Sequence, residues 1–287
     1  GTGVVHIAPW DGDADYVFGI ENNFDIIQTV QDDGKYNQHA VGFEGEHIYK
    51  VDHKIADKLE EFSKLLFKGT LRHSYPHSWR SKAPLIYRNT PQWFISMEKN
   101  NLRDIALKSI DETIFYPPQG QTRLRSMIET RPDWCVSRQR VWGVPLPLFV
   151  NKKTGQPLRD ENIINRIADI YEKEGSNTWF TEDPQRFLGD EYSLEDYEQV
   201  KDVVEVWFDS GSTHAFCLEQ REDLKWPASM YLEGSDQHRG WFHSSLLESS
   251  GTRGKAPYES VLTHGFVVDG KGLKMSKSLG NVISPDD

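Results

Sequence analysis

The sequence predicts an α/β protein whose second half contains a parallel β-sheet. Three short apolar segments have the length and composition of buried strands: residues 203–208 (VVEVWF), 230–233 (MYLE) and 261–268 (VLTHGFVV). A helical pattern at residues 238–250 (HRGWFHSSLLESS) separates the last two. A strand, a helix and a strand at this spacing predict a right-handed crossover between parallel neighbours.

The first part of the chain has the mixed pattern expected at the end of an α/β unit. It combines β-rich stretches such as residues 4–7 with turn signals at residues 33–34 and 42–45. Residues 55–67 (IADKLEEFSKLLF) have apolar positions at helical spacing and precede Gly69, which predicts an amphipathic helix with a stop signal. The stretch begins too abruptly for a whole domain, so we expect a fragment.

Two later segments connect or interrupt these units. A connector rich in proline and aromatic residues runs from residue 75 to residue 93. Residues 151–201 are polar and rich in turn signals, which predicts an insertion in the α/β half.

Length and composition are those of a soluble protein with room for two domains. The chain has 287 residues, of which 37% are hydrophobic and 27% charged. No apolar run approaches the roughly 20 residues that a membrane span needs. Cys135 and Cys217 are the only cysteines and form no disulfide framework. With no secretory signal at the start, these features favour a cytoplasmic protein.

The net charge of −11 argues against a general polyanion-binding protein. Local basic tracks are still compatible with binding of one nucleic acid, although salt-bridged surfaces have the same composition. The basic residues that form the two candidate tracks are Arg72, His73, His77, Arg80, Lys82 and Arg88, and Arg123, Arg125, Arg131, Arg138 and Arg140.

Polar residues follow the predicted strand at residues 230–233 and open the next helix. Glu233, Asp236 and Gln237 offer oxygen and amide groups for ribose hydroxyls or an ammonium, and Gly234 allows a ligand close to the backbone. Because open parallel sheets bind ligands at the carboxyl ends of their strands, this edge is the candidate site. Asp236 is equally suited to capping the helix.

Two aromatic residues and two lysines lie near the same strand ends in the sequence. Trp207 and Trp241 are suited to lining an apolar pocket, although packing in the core is the ordinary role of tryptophan. Lys274 and Lys277 lie in the segment KGLKMSKSLGN, where flanking glycines permit movement toward an anion. A solvated surface loop is the alternative interpretation of that segment.

Several motifs together resemble those of the isoleucyl-tRNA synthetases of class I. They are RPDWCVSRQRVWGVPLP at residues 131–147, VWFDSGSTH at 206–214, YLEGSDQHRGWFHSSLL at 231–247 and HGFVVDGKGLKMSKSLGN at 264–281. GTGVVHIAP at residues 1–9 is similar to part of the editing domain of the same family. The order and spacing of the motifs extend the resemblance over essentially the whole chain.

The resemblance implies a partial Rossmann-like fold beside part of an editing domain. Residues 1–75 correspond to the end of the editing domain, 76–130 to a connector, and 131–287 to the second half of the catalytic domain, interrupted at about 151–201. The His-x-Gly-His motif of the first Rossmann half is absent from this sequence. We therefore expect the 287 residues alone to be inactive in aminoacylation.

The resemblance also implies roles for individual residues of the catalytic half. Lys274 and Lys277 fall in the family's signature loop, where they are expected to be catalytic, with Lys277 on the ATP phosphates. The residues expected to contact the adenylate are Glu233, Gly234, Asp236 and Gln237, and those expected to line the isoleucine pocket are Trp207 and Trp241.

In the editing segment, His6 and Asp15 fall on positions that the family uses to hydrolyse mischarged tRNA. Asp15 would pair with the free ammonium of the valyl ester and hold it for attack by water, without a metal. The chain departs from the family's usual residues between Pro9 and Asp15, so Asp13 is the alternative carboxylate. No zinc site is expected here, since Ser78 stands where a cysteine is often seen.

The implied parent reaction joins isoleucine to its tRNA at the expense of ATP, through isoleucyl-adenylate, with hydrolytic editing of valine. ATP with Mg²⁺, isoleucine and tRNA(Ile) are the implied partners, and the parent enzyme is expected to be monomeric. One alternative is a non-catalytic module, derived from a class I synthetase, that binds tRNA or nucleotide. A valyl or leucyl enzyme is a further alternative, disfavoured by WFDSGS and GSDQHRGWF.

Overall fold

The chain forms two compact units, Gly1–Pro91 and Gln92–Asp287. The computed structural model describes residues 3, 5–10, 12–78 and 81–284. The part of the predicted connector from residue 92 to residue 130 belongs to the second unit. Among the helices of the described ranges, none is both long and apolar enough to cross a membrane.

The first unit contains short helices joined by turns. Helix α1 spans Asp13–Glu21 and α2 spans Asp52–Glu61, preceded by a 3₁₀ turn at Ile48–Lys50. The turn predicted at residues 33–34 is present, because Gly34 has φ of 77° and the flanking residues Val30 and Tyr36 form an antiparallel bridge.

Two sequence predictions for this unit differ in part from the structure. The helix predicted at residues 55–67 ends at Glu61, because Ser63 has φ of 53°, outside the range of a right-handed helix. Leu66 and Phe67, two of the apolar residues beyond it that suggested a longer helix, are exposed. The strand predicted at residues 4–7 is also not found: Val4 lies outside the described residues, and residues 5–7 have no strand partner in the described part of the chain.

The second unit alternates short strands and helices. In chain order they are β1 (Phe94–Ile95), α3 (Leu102–Glu112), β2 (Ile114–Tyr116), α4 (Gln119–Glu129), β3 (Trp134–Cys135), β4 (Ser137–Arg138), β5 (Phe149–Asn151), α5 (Glu161–Glu174), α6 (Thr178–Thr181), α7 (Gln185–Leu188), β6 (Tyr197–Gln199), β7 (Val203–Val204), α8 (Val206–Gly211), β8 (Tyr231–Gly234), α9 (Trp241–Arg253) and β9 (Ser260–His264).

The predicted parallel sheet is confirmed. Its strand order is β2-β9-β8, with both pairs parallel and with α9 as the crossover between β8 and β9. Register places Phe115, Val261 and Tyr231 side by side on one face, where all are buried against α3, α4 and α9. Tyr116 and Leu232 lie on the opposite face and are exposed. The chain therefore has a mixed α/β fold with a partial Rossmann-like sheet.

Two predicted strands are shorter than the apolar runs that suggested them. The run at residues 203–208 forms β7 over two residues only, and its remainder begins α8 after the extended residue Glu205. Phe208 packs against Trp134 as part of this helix, with ring centroids 5.9 Å apart. A short apolar run does not distinguish a strand from a buried helix. The run at residues 261–268 leaves the sheet after His264.

The insertion at residues 151–201 has its own hydrophobic core rather than the turn-rich character that its composition predicts. Strands β5 and β6 pair in antiparallel fashion at its base. Trp179 is fully buried, and its ring makes T-shaped contacts with Phe149 and Phe187 at centroid distances of 5.1 and 4.9 Å. The indole Nε1 of Trp179 donates a hydrogen bond to the carbonyl oxygen of Val200 at 2.8 Å.

Trp179→Ala is expected to destabilise the insertion by about 3 to 5 kcal/mol, since it removes the central ring of this core and leaves a cavity. The measurement is amide hydrogen exchange of α5 and α7 under denaturant. Phe180→Ala, at a neighbouring side chain that is 41% exposed, is the control and is expected to change stability little. Equal effects of the two substitutions would contradict the assignment of this core.

Candidate functional site

The candidate site lies where β8 and β9 end side by side. Gly234 is paired with His264, and Glu233 with Thr263, so the polar residues after β8 lie at the same edge as the segment after β9. Glu233 is exposed, whereas Gly234 is buried. The chain then forms a 3₁₀ turn over Ser235–Arg239 before α9 begins.

This turn is held by side chains of the motif itself. The Oε1 atom of Gln237 accepts a hydrogen bond from the backbone N–H of Trp241 at 2.9 Å, and Gln237 Nε2 donates to Asp236 Oδ2 at 3.2 Å. Gln237 thus satisfies a donor at the start of α9, the capping role that the sequence offered to Asp236. The carboxylate of Asp236 is exposed beside Gly234, where a Cβ atom would lie 2.7 Å from Asp236 Oδ1.

The two tryptophans lie at the junction of α8 and α9. The ring of Trp241 stacks on Tyr231 of β8, with centroids 3.9 Å apart and planes 6° from parallel, and its Nε1 donates to the Ser210 carbonyl oxygen at 3.0 Å. Trp207 is 41% exposed, and a Cβ atom at Gly240 would lie 2.9 Å from its ring. The ring of Trp241 is therefore packed against β8 and α8, whereas the ring of Trp207 presents apolar surface beside the turn.

The segment after β9, residues 267–281, folds back on itself in antiparallel fashion and carries Lys274 and Lys277. We call this segment the lysine arm. Val268 pairs with Lys274, and Met275 N–H donates to the carbonyl oxygen of Val267 at 3.0 Å. Lys274 Nζ lies 3.6 Å from the centroid of the Phe266 ring, a cation–π contact, and Lys277 is exposed in the turn that follows. The described hydrogen bonds of residues 267–281 remain within that segment.

The site residues predicted from sequence are thus brought together in two groups. Glu233, Gly234, Asp236, Gln237 and the two tryptophans form one contiguous region at the end of β8 and the start of α9. The group of Lys274 and Lys277 follows the neighbouring strand β9 and is linked to the first group through the strand pairing.

A buried carboxyl group that no sequence motif indicated lies where α8 packs against α9. Glu248 of α9 approaches Gly211 of α8 so closely that a methyl group at Gly211 would overlap the carboxylate. Burial, followed by repulsion from Asp209 and Glu205, raises the pKa of Glu248 to about 9. Its Oε1 atom has no hydrogen-bond partner among the described residues. At neutral pH Glu248 is therefore protonated.

The two other carboxyl groups of this cluster differ from Glu248 in their surroundings. Glu205 accepts a hydrogen bond from Trp134 Nε1 at 2.9 Å and lies 3.7 Å from the guanidinium of Arg138. Asp209 has its pKa raised by burial and then by Glu205. The sequence signal that could have revealed this cluster is one acidic residue in the otherwise uncharged run WFHSSLLESSG.

In the first unit, the candidate carboxylate Asp15 is tied to the segment that carries His6. Asp15 lies in the first turns of α1, and its Oδ2 accepts a hydrogen bond from the backbone N–H of Ala8 at 2.8 Å. Asp13, the alternative, begins α1 and is exposed. The described residues contain no group of three or more side chains that could together hold a metal ion.

Comparisons with known proteins show the family. A family model for class I tRNA synthetases (I, L, M and V) matches residues 18–287. The chain belongs to the class I tRNA synthetases. It is 66% identical over 287 residues to an isoleucine–tRNA ligase of Pelagibacter ubique strain HTCC1062, covering 100% of this chain and 32% of the relative.

A second ligase and one solved structure are also similar to parts of this chain. An isoleucine–tRNA ligase of Zymomonas mobilis is 52% identical over 300 residues, with 99% of this chain and 32% of the relative covered. The chain thus spans about a third of the length of the curated relatives it matches. A Mycobacterium tuberculosis methionyl-tRNA synthetase bound by methionyl-adenylate has a TM-score of 0.42 at 18% identity, covering 75% of this chain and 34% of that structure.

Glu248→Gln is expected to make the protein more stable at alkaline pH. The folded-state pKa of about 9 lies above the ordinary value of 4.5, so the stability that the proton provides is complete at acid pH and is lost as pH rises through 9. The neutral amide removes this loss, so its advantage in free energy of unfolding grows by roughly 5 kcal/mol from pH 5 to pH 9.

The measurement is urea unfolding of the parent and variant proteins across this pH range. Glu222→Gln, at an exposed position, controls for the loss of one negative charge. Parallel pH profiles for the parent and Glu248→Gln would show that Glu248 is already ionised in the folded protein.

Proposed function

We propose that this synthetase segment forms part of an isoleucine–tRNA ligase, which activates isoleucine with ATP and transfers it to tRNA(Ile). The observation that carries the proposal is the paired ends of β8 and β9, since the turn with Glu233 and Asp236 and the lysine arm both start from the same edge of the sheet. Family membership and the 66% and 52% identities to isoleucine–tRNA ligases support the choice of amino acid.

The end of β8 supplies groups suited to an aminoacyl-adenylate. Exposed carboxylates at Glu233 and Asp236 can accept hydrogen bonds from ribose hydroxyls or from the ammonium group of the amino acid. The absence of a side chain at Gly234 lets the carboxylate of Asp236 lie against the end of β8. Gln237 accepts a hydrogen bond from the Trp241 backbone through Oε1 and donates one to Asp236 through Nε2. Its role in this arrangement is therefore to position Asp236. Trp207 offers apolar surface for the isoleucine side chain.

The lysine arm supplies positive charge for the phosphates. A carboxylate oxygen of isoleucine attacks the α-phosphorus of ATP, the bond from that phosphorus to the bridging oxygen of the β-phosphate breaks, and pyrophosphate leaves. Lys277 and Lys274 would stabilise the negative charge that accumulates on the departing pyrophosphate. Mg²⁺ would enter with ATP as part of the substrate. A ribose hydroxyl of the tRNA then attacks the isoleucyl carbonyl and releases AMP.

We further propose that residues 1–75 come from the editing domain and that Asp15 and His6 act in hydrolysis of valyl-tRNA. An apolar pocket distinguishes isoleucine from valine by only about 1 to 3 kcal/mol, which is the reason that these enzymes need a second site. The bond from Ala8 N–H fixes the Asp15 carboxylate beside the segment of His6, which supports Asp15 over Asp13 as the partner of the substrate ammonium. We expect a monomeric, cytoplasmic parent enzyme.

The proposal can be tested in a chimera. The matching third of the Pelagibacter enzyme is replaced by these 287 residues, and isoleucine-dependent exchange between ATP and pyrophosphate is measured. Lys277→Ala is expected to lower the exchange rate about 100- to 1,000-fold, because it removes a charge that acts mainly in the transition state. Lys271→Ala, which removes an exposed lysine of the same arm, is the matched control.

Two results would contradict the proposed activity. One is a chimera in which valine or leucine supports the exchange between ATP and pyrophosphate as well as isoleucine does. The other is a chimera that binds nucleotide or tRNA without exchange, which would favour a binding module.

The editing assignment is tested by hydrolysis of valyl-tRNA(Ile) in the same chimera. Asp15→Ala is expected to slow hydrolysis about 100-fold, since it removes the group that orients the ester. Asp13→Ala is the matched control, two residues away on α1, and is expected to stay within about twofold of the parent. The reverse order of effects would move the editing role to Asp13.

A further inference from the structure

The side chain of Asn281 joins both ends of the lysine arm. Its Nδ2 atom donates hydrogen bonds to Asp269 Oδ2 at 2.9 Å and to the carbonyl oxygen of Lys274 at 3.2 Å. Its Oδ1 atom accepts a hydrogen bond from the backbone N–H of Ser276 at 2.9 Å. One amide group thus uses both of its donors and its acceptor on three separate residues.

Asp269 completes this arrangement from the other side of the arm. Its Oδ1 atom accepts hydrogen bonds from the backbone N–H groups of Lys271 and Leu273, both at 2.9 Å. Its Oδ2 atom receives the bond from Asn281. The carboxylate therefore fixes the turn at residues 269–273 and links it to Asn281. We call Asp269 and Asn281 the clasp.

The clasp encloses the residues that carry the chemistry. Lys274 and Lys277 both lie between its two members in the sequence. The backbone bonds of Asn281 are made on either side of Met275, so they fix the direction in which the chain enters and leaves that residue. Lys277 follows Ser276 directly. Without the clasp, a segment flanked by Gly272 and Gly280 would sample many backbone conformations.

We propose that Asp269 and Asn281 are positioning residues for the phosphate-binding lysines, holding the arm in the backbone geometry from which Lys274 and Lys277 reach the pyrophosphate. This inference rests on the proposed synthetase function. Neither clasp residue touches substrate in it: both act through the backbone of residues 271–276. Placing a charged group before the reaction begins removes an entropic barrier from the chemical step, so loss of the clasp lowers kcat.

The test uses the chimera and the 287-residue chain in parallel. Asn281→Ala is expected to lower kcat for pyrophosphate exchange about 10- to 100-fold. KM for isoleucine is expected to change less than about twofold, because Trp207 and the turn after β8 lie outside the arm. In the 287-residue chain, the same substitution is expected to increase amide hydrogen exchange in residues 268–281 and to leave β8 and α9 unchanged.

Exchanging the two side chains distinguishes loss of the contact between Asp269 and Asn281 from a general loss of stability. Asp269→Asn retains an oxygen for Lys271 and Leu273 but turns an amide donor toward the Asn281 donor, so kcat is expected to fall. Adding Asn281→Asp restores a donor–acceptor pair between the two side chains, although the carbonyl oxygen of Lys274 loses its donor. The double variant is therefore expected to be more active than Asp269→Asn alone. The effects of two substitutions at residues in direct contact are not additive.

Asn151→Ala is the matched control. The Oδ1 atom of Asn151 accepts backbone N–H bonds from Lys153 and Thr154 at 3.0 Å each, the same kind of turn stabilisation inside the insertion. Its removal is expected to loosen that turn and to leave pyrophosphate exchange unchanged.

The outcomes distinguish failure of the clasp from failure of the proposed function. If Lys277→Ala abolishes exchange but Asn281→Ala leaves kcat unchanged, the clasp proposal is overturned and the synthetase function stands. Unchanged amide exchange in residues 268–281 of Asn281→Ala would also overturn it. If the parent chimera supports no isoleucine-dependent exchange, the proposed function fails, and the amide-exchange result still decides whether the clasp orders the arm.

Discussion

The parallel pairing of β8 with β9 is the constraint on which the candidate site depends. Parallel strands end at the same edge, so the backbone hydrogen bonds that pair Gly234 with His264 also align two distant stretches of sequence. The turn after one strand carries the acidic residues, and the arm after the other carries the lysines. Burial of Tyr231 and Val261 against the helices stabilises this register, since a slip of one residue would expose them.

Polar bonds refine what the sheet aligns. Gln237 binds the backbone N–H of Trp241, and the Trp241 indole binds the Ser210 carbonyl oxygen, so the turn after β8, the start of α9 and the end of α8 are fixed to one another. The protonated carboxyl of Glu248 lies between the same two helices. The region is therefore rigid on the side of the tryptophans, whereas the lysine arm is ordered by its own side chains.

Sequence reasoning predicted the fold class and the edge of the sheet because parallel strands and their crossover helix leave strong patterns. It overestimated β7 because VVEVWF is apolar throughout, and periodicity does not reveal that Glu205 ends the strand and begins a helix. It also missed Glu248, whose pKa is raised first by burial and then by Asp209 and Glu205, and thus by the way α8 packs on α9. The roles of the site residues stay predictions from motif positions, whereas the three-way bonding of Asn281 required coordinates.

The insertion has a hydrophobic core separate from that of the parallel sheet. Phe149 and Gln199 are paired across β5 and β6, so the insertion begins and ends at adjacent positions of the α/β unit. Its aromatic core is self-contained. A change in the length or surface of this lobe would consequently leave the pairing of β8 with β9 unaltered.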